Sequence, residues 1–258
     1  MEKNIKDTVK VVFGKNAEKY YESKSHANGI DLPLIIDWLQ PEAGWIALDI
    51  ATGGGHVAKT VAPYVKKMCA TDLTEKMLEN TAKNLNKQFD NIWYTVADAE
   101  SLPFLANTFD LVTCRIASHH FPHPEKFINN VSRVLKPGGR FVLIDNVVPE
   151  DPKKAEFMNT FEKLRDESHV RCLSIEEWRR LFVDAALIEK RSTSRKKKHD
   201  FPIWVVRTAS SEDQPKQVSE YILKANKVNK DYFKVVIENE EIKSVAIDEW
   251  MVLVEKGE

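Results

Sequence analysis

The chain has little cysteine: Cys69, Cys114 and Cys172 are far apart and odd in number among 258 residues. That excludes a disulfide framework and a zinc site built on paired cysteines, and it suits a reducing compartment. No apolar run reaches membrane-spanning length, and Met1-Glu2-Lys3-Asn4-Ile5-Lys6-Asp7 carries no apolar signal core. The expectation is a soluble, cytoplasmic protein with no membrane insertion. The formal net charge of -1 shows no excess of either sign, which argues against a dedicated nucleic-acid binder. There is no internal repeat and no low-complexity tract. Glycine is sparse, yet three of the nine are consecutive, Gly53-Gly54-Gly55.

What is present is a core-forming composition, with 43% hydrophobic residues, over a length that fits one large α/β domain or a domain with a small cap. Short apolar runs at 46–50, 67–71, 92–96, 109–114 and 140–147 read as strands. Met77, Leu78, Thr81, Ala82 and Leu85 fall at helical spacing between two of them, as do Phe127, Ile128, Val131, Val134 and Leu135 between two others. Lys136-Pro137-Gly138-Gly139 stops the second of these helices. Such alternation predicts a parallel sheet with helices on both faces. Ser174-x-x-Glu177 is a capping box that opens a further helix. Residues 215–230 look helical and 245–254 look like a last strand.

The glycines follow an apolar strand ending in Leu48-Asp49-Ile50-Ala51-Thr52 and precede a helical pattern, so backbone there can approach a ligand closely. Gly53-x-Gly55-x-x-Ala58 fits the looser dinucleotide fingerprint, and Asp72, 19 residues after Gly53, is set to accept the hydrogen bonds of a ribose diol. To this point an NAD(P)-dependent oxidoreductase and an S-adenosylmethionine enzyme look alike. Asp49 separates them, because a carboxylate before the glycines repels a pyrophosphate and attracts an ammonium and a sulfonium. Asp98, just after the third strand, can accept from an exocyclic amine while the Ala99 N–H serves a ring nitrogen.

With Leu48 to Gly55, Thr71-Asp72-Leu73-Thr74, Ala97-Asp98-Ala99 and Arg133 to Gly139 in order, the sequence resembles the class I S-adenosylmethionine-dependent methyltransferases. Within them it resembles the small-molecule branch that includes the ubiquinone/menaquinone C-methyltransferases. The resemblance covers roughly residues 45–145 and implies an α/β, Rossmann-like, seven-stranded, mostly parallel sheet. It implies that Asp49 and the backbone of Ala51, Gly53 and Gly55 hold the methionine part of the cofactor. Asp72 would bind the ribose, Leu73 would pack on adenine, Asp98 and Ala99 would read the adenine edge, and Arg115 would contribute backbone near the sulfonium. One departure is Ala51, where the family has its first loop glycine. Another is Asp145, where the quinone methyltransferases carry Glu.

Domain organisation is expected as one unit over 1–258. N-terminal lid helices fill 1–40, a cofactor-binding core 41–148, a helical cap insertion 149–173, and C-terminal helices and strands 174–258. His119 or His120, in the loop after the fourth strand, is a candidate general base, since imidazole titrates near neutrality. The histidines at 119, 120 and 123 do not form a metal set, because proline interrupts them and no Cys or carboxylate completes the ligands. Tyr20 or Tyr21 is expected on the pocket wall, in a segment resembling the branch's lid helix, or in the core. His169 and Arg171 in the cap are candidate acceptor contacts, against a helix end held by local salt bridges. The basic run Arg195-Lys196-Lys197-Lys198 reads as a solvated loop or strand edge, because residues 231–258 carry eight acids against three lysines. The expected partner is a small-molecule acceptor and not a nucleic acid. An NAD(P)-dependent oxidoreductase and a non-catalytic module that kept the pocket are the remaining alternatives, and acceptor identity and oligomeric state stay open.

Overall fold

The computed structural model describes residues 5–22 and 29–257, apart from the side chains at 16, 17 and 19–22. Two helices, α1 (Ile5–Glu22) and α2 (Asp31–Leu39), precede the sheet. The core then alternates β1 (Ile46–Ile50), α3 (His56–Val61), β2 (Lys67–Asp72), α4 (Glu75–Leu85), β3 (Ile92–Val96), β4 (Phe109–Arg115), α5 (Pro124–Val134) and β5 (Leu135–Val147). There follow α6 (Pro152–Arg165), α7 (Ile175–Asp184), β6 (Leu187–Asp200), α8 (Phe201–Val205), α9 (Asp213–Leu223), α10 (Lys227–Tyr232), β7 (Val236–Glu238) and β8 (Glu241–Lys256).

The strands form one sheet in the order β3-β2-β1-β4-β5-β8-β6. Neighbours from β3 through β5 are parallel, and β8 runs antiparallel to both β5 and β6. This is the expected mostly parallel sheet, with one difference. An eighth strand, β7, forms a hairpin with β8 off the main path. It closes through Asn239 and Glu240, both at positive φ, a tight reversal with no glycine to announce it.

Strand alternation sorts side chains onto two faces. Leu48, Ile50, Val112, Cys114, Phe141 and Leu143 pack under α5 and α7, against Phe127, Trp178 and Phe182. Ala47, Met68, Leu111, Val142 and Ile144 meet α2 and α3 on the other face. The capping box at Ser174 is formed in both directions, and α5 ends at Val134, one residue before the Lys-Pro-Gly-Gly stop was expected to act. A third apolar cluster joins Phe157, Met158 and Phe161 of α6 to Trp204, Val218, Phe233 and Ile247. The helix expected as a cap insertion therefore shares its core with the chain between β6 and β8.

Candidate active site

At the carboxyl ends of β1, β2 and β4, residues from five segments line one cavity with about 1020 Å³ of empty space, its open mouth included. The loop after β1 shapes its floor. Ala51, Gly53 and Gly55 all have left-handed backbone, with φ of 52°, 54° and 77°. That conformation turns the chain within five residues from strand to helix. At Gly53 an added Cβ would meet nothing closer than 3.8 Å, whereas at Gly55 it would fall 2.5 Å from Thr81 Cγ2 and 2.9 Å from Leu85 Cδ1. Gly53 serves conformation, and Gly55 serves both conformation and close helix packing.

Asp49 lies beneath this loop, 1% exposed, and accepts from Thr52 Oγ1 at 2.6 Å and Thr113 Oγ1 at 2.8 Å. Burial pushes its carboxyl up to about 6, against the opposing pull of the two hydroxyls and the Arg115 charge. Asp72, at the end of β2, accepts from Gly53 N at 3.1 Å and Thr74 N at 2.9 Å. Burial raises its pKa too, with these N–H groups working in the other direction. Asp72 thus braces the glycine loop while lining the cavity beside Leu73.

After β3, Asp98 and Glu100 face α1. Lys6 donates to Asp98 Oδ2 at 2.6 Å and to Glu100 Oε2 at 2.5 Å, while Asp98 Oδ1 accepts from Glu100 N at 2.9 Å. Lys6, Ala99 and Phe13 line the same wall. Lys6 was not legible as a site residue, because its carboxylates lie more than ninety positions away in sequence.

Arg115, the last residue of β4, lines the cavity, but its guanidinium turns to Asp31 of α2, to which both Nε and Nη2 donate. The chain then passes through Ile116 at φ 53°, with Ile116 N donating to Ile144 O at 2.7 Å, into a short 3-10 turn over Ser118–His120. Both candidate histidines are buried there, with different surroundings. His119 Nδ1 lies 2.7 Å from Asp145 Oδ1, and Asp145 also accepts from Ser118 Oγ, His119 N and Asn146 N. Burial alone would lower the His119 pKa, but the Asp145 carboxylate raises it. His120 lines the cavity, its Nδ1 3.0 Å from Ser168 O and its ring edge-on to Phe13 at 5.0 Å. Burial and the neighbouring His119 charge push its pKa down to about 4.

The segment after α6 completes this corner. Val170 N and Arg171 N both donate to His119 O, and the His169 ring lies 5.6 Å from that of His119. His169 is 1% exposed, with Nε2 3.1 Å from Asn159 Oδ1, and burial drives its pKa far down. Arg171 is not brought to the cavity. Its guanidinium pairs with Glu177 at 2.8 Å on the surface. The side chains of Tyr20 and Tyr21 lie outside the described residues. The basic run becomes the edge strand β6, where Arg195 and Lys197 share Glu249 and Lys196 reaches Asp248 at 2.8 Å. Among the described residues, no group of His, Cys, Asp and Glu is arranged to hold a metal ion.

Comparison with known proteins gives a consistent result. Residues 48–143 match a family described as methyltransferase domain. The chain is 37% identical over 226 residues to the uncharacterized methyltransferase YcgJ of Bacillus subtilis, covering 87% of this chain and 89% of that protein. The crystal structure of that YcgJ protein superposes with a TM-score of 0.86 at 33% identity, covering 88% of this chain and 98% of the other. A ubiquinone/menaquinone biosynthesis C-methyltransferase of Roseobacter denitrificans is 35% identical over 115 residues, 43% of this chain and 46% of that protein.

Proposed function

The chain belongs to the class I S-adenosylmethionine-dependent methyltransferases, and on that premise we propose that it transfers a methyl group to a small-molecule acceptor in the cavity above β1 and β4. The observation that carries the reading is the set of carboxylates at strand ends around a left-handed loop, two of them buried and Asp98 half-buried. Asp49, Asp72 and Asp98 line one cavity with Gly53 and Ala99.

The donor set fits the cofactor. Asp49 and the backbone of Ala51, Gly53 and Gly55 hold the methionine part. The positive charges of that ligand favour the ionised form of Asp49, whose pKa burial has raised to about 6. Asp72 keeps lone pairs beyond those used by Gly53 N and Thr74 N, enough for a ribose diol. Leu73 packs on adenine, Asp98 and the Ala99 N–H meet its edge, and backbone at Arg115 lies near the sulfonium. The bound cofactor supplies an electrophilic methyl carbon. The residues supply orientation for in-line attack and exclusion of water, with α1 as a lid over the 41–148 core.

A small molecule fits better than a nucleic acid, because the basic residues of β6 are engaged by Glu249 and Asp248. Cytoplasmic action is consistent with the three free, buried cysteines, and among the described residues no helix is long and apolar enough to cross a membrane. The test is calorimetry with S-adenosylmethionine, S-adenosylhomocysteine and NADH. Both adenosyl ligands are expected to bind, and Asp72→Ala to weaken them by roughly 10- to 100-fold, the worth of hydrogen bonds to a charged group. Binding of NADH in their place would overturn the assignment.

A further inference from the structure

Resting on the methyltransferase reading, we infer that His120 Nε2 accepts the hydroxyl proton of an uncharged aromatic or enolic acceptor as the methyl group is transferred, with Ser168 and Asp166 as its positioning residues.

The tautomer follows from the hydrogen bonds. A backbone carbonyl can only accept, so Nδ1 of His120, 3.0 Å from Ser168 O, carries the proton. Ser168 Oγ stands 3.3 Å from the same nitrogen and donates to Asp166 Oδ1 at 2.5 Å. In the neutral ring Nε2 then bears a lone pair. Among the described residues no hydrogen bond reaches it, and the ring lies on the cavity wall. Phe13 packs on the ring, and Val9, Ile116, Ala117, Phe121 and Pro122 line the same cavity, apolar groups that favour an uncharged, flat acceptor.

His119 cannot take this part. Its Nδ1 is committed to Asp145, and its ring is not among the groups that line the cavity. It acts through its neighbour instead. The two rings are 4.2 Å apart, and positive charge on His119 adds to burial in keeping His120 neutral. The other charged or titratable groups facing this corner are Asp145 from β5 and Asp166 and His169 from the segment after α6. Lys6 and Glu100 stand on the same cavity. Asp166 opposes the His119 effect, and it is the charge that stabilises the imidazolium when it forms.

The step balances as follows. The acceptor O–H bond breaks and its proton goes to Nε2. The oxygen electron pair forms the bond to the methyl carbon. The carbon–sulfur bond breaks with its pair going to sulfur, which ends as a neutral thioether, and His120 later returns the proton to solvent. A weak base suffices, because the hydroxyl becomes a strong acid as the new bond forms.

The experiment uses the full chain with S-adenosylmethionine and a matched panel of phenols, anilines and thiophenols, reading S-adenosylhomocysteine formed. Phenols are the expected substrates. His120→Asn keeps a donor for Ser168 O and removes Nε2. It is expected to lower kcat by about 10²- to 10⁴-fold with KM and S-adenosylhomocysteine affinity unchanged. Asp166→Asn should lower kcat less and also leave that affinity intact. Imidazole ¹⁵N spectra at neutral pH should show His120 protonated at Nδ1 only. At saturating S-adenosylmethionine, kcat should be flat above about pH 5 and fall toward pH 4, rather than climb with acceptor ionisation. Turnover of anilines or thiophenols alone, a His120→Asn kcat close to wild type, or a doubly protonated His120 would each overturn the proposal. Binding of S-adenosylhomocysteine without turnover of any phenol removes it and leaves the methyltransferase reading standing. Failure of that ligand to bind removes the reading beneath it.

Discussion

Replacing Gly55 with alanine tests the loop on which the site is built. Two costs are separable there. The first is conformational: at φ 77° a Cβ meets its own backbone, which costs about 1–2 kcal/mol. The second is steric, because the new methyl would sit 2.5 Å from Thr81 Cγ2 and 2.9 Å from Leu85 Cδ1. Thr81 cannot swing aside cheaply, since it is fully buried and its Oγ1 donates to Gly53 O at 2.7 Å. Leu85 is also fully buried. Overpacking of this kind costs about 1–3 kcal/mol, so Gly55→Ala should destabilise by about 2–5 kcal/mol in all. Gly53→Ala is the control. It has φ 54° and no contact under 3.8 Å, so only the conformational part of about 1–2 kcal/mol applies. Ala51 is the converse case, an alanine already held at φ 52°. Ala51→Gly should relieve strain of about 1–2 kcal/mol while losing about 0.5–1 kcal/mol to the greater freedom of the unfolded chain. It should come out neutral to slightly stabilising. Urea unfolding with the slope monitored gives all three on one scale. A Gly55→Ala cost no larger than that of Gly53→Ala would refute the packing argument. A clear loss of stability in Ala51→Gly would refute the strain argument.

Other expectations follow from charges held out of water. Asp49 titrates at about 6 in the empty protein, so S-adenosylmethionine affinity should hold above that pH and fall below it, by up to about tenfold per unit. Calorimetry across about pH 5 to 8 giving constant affinity would remove Asp49 from the cation contact. Asp31→Ala strands the buried Arg115 guanidinium and should cost about 3–5 kcal/mol, read by the same urea unfolding; a loss below about 1 kcal/mol would mean that the pair is effectively solvated. His119 has its pKa raised in the folded state, so its contribution to stability is full below the unfolded value of 6.5 and is lost as pH rises through the folded value. Asp145 has a lowered pKa, so its contribution is full above the unfolded value and is lost as pH falls. Asp145→Asn should therefore flatten the stability profile on both sides of neutrality, and an unchanged profile would show that the pair does not govern it.

The cofactor end of the site was legible because its determinants are local. Apolar runs mark β1 to β5. Asp49, Gly53, Gly55, Asp72 and Asp98 each stand within a few residues of a strand end, where the chain must turn and face a ligand. The acceptor end was not, because its residues acquire their roles from partners remote in sequence. Sequence left His119 and His120 interchangeable. Asp145, 26 positions on, takes one, and Ser168, 48 positions on, takes the other.

Sequence by itself determined the order of elements from β1 to β5, the parallel core and the carboxylates at its strand ends, since hydrophobic periodicity and turn chemistry act over a few residues. Tertiary structure alone decided that Lys6 closes on Asp98 and Glu100, and that Arg115 is spent on Asp31. It also decided that the segment between β6 and β8 shares a core with α6. Ion pairs and buried rings depend on distance and desolvation in space, and neither quantity exists along the chain until the sheet has brought its carboxyl ends together.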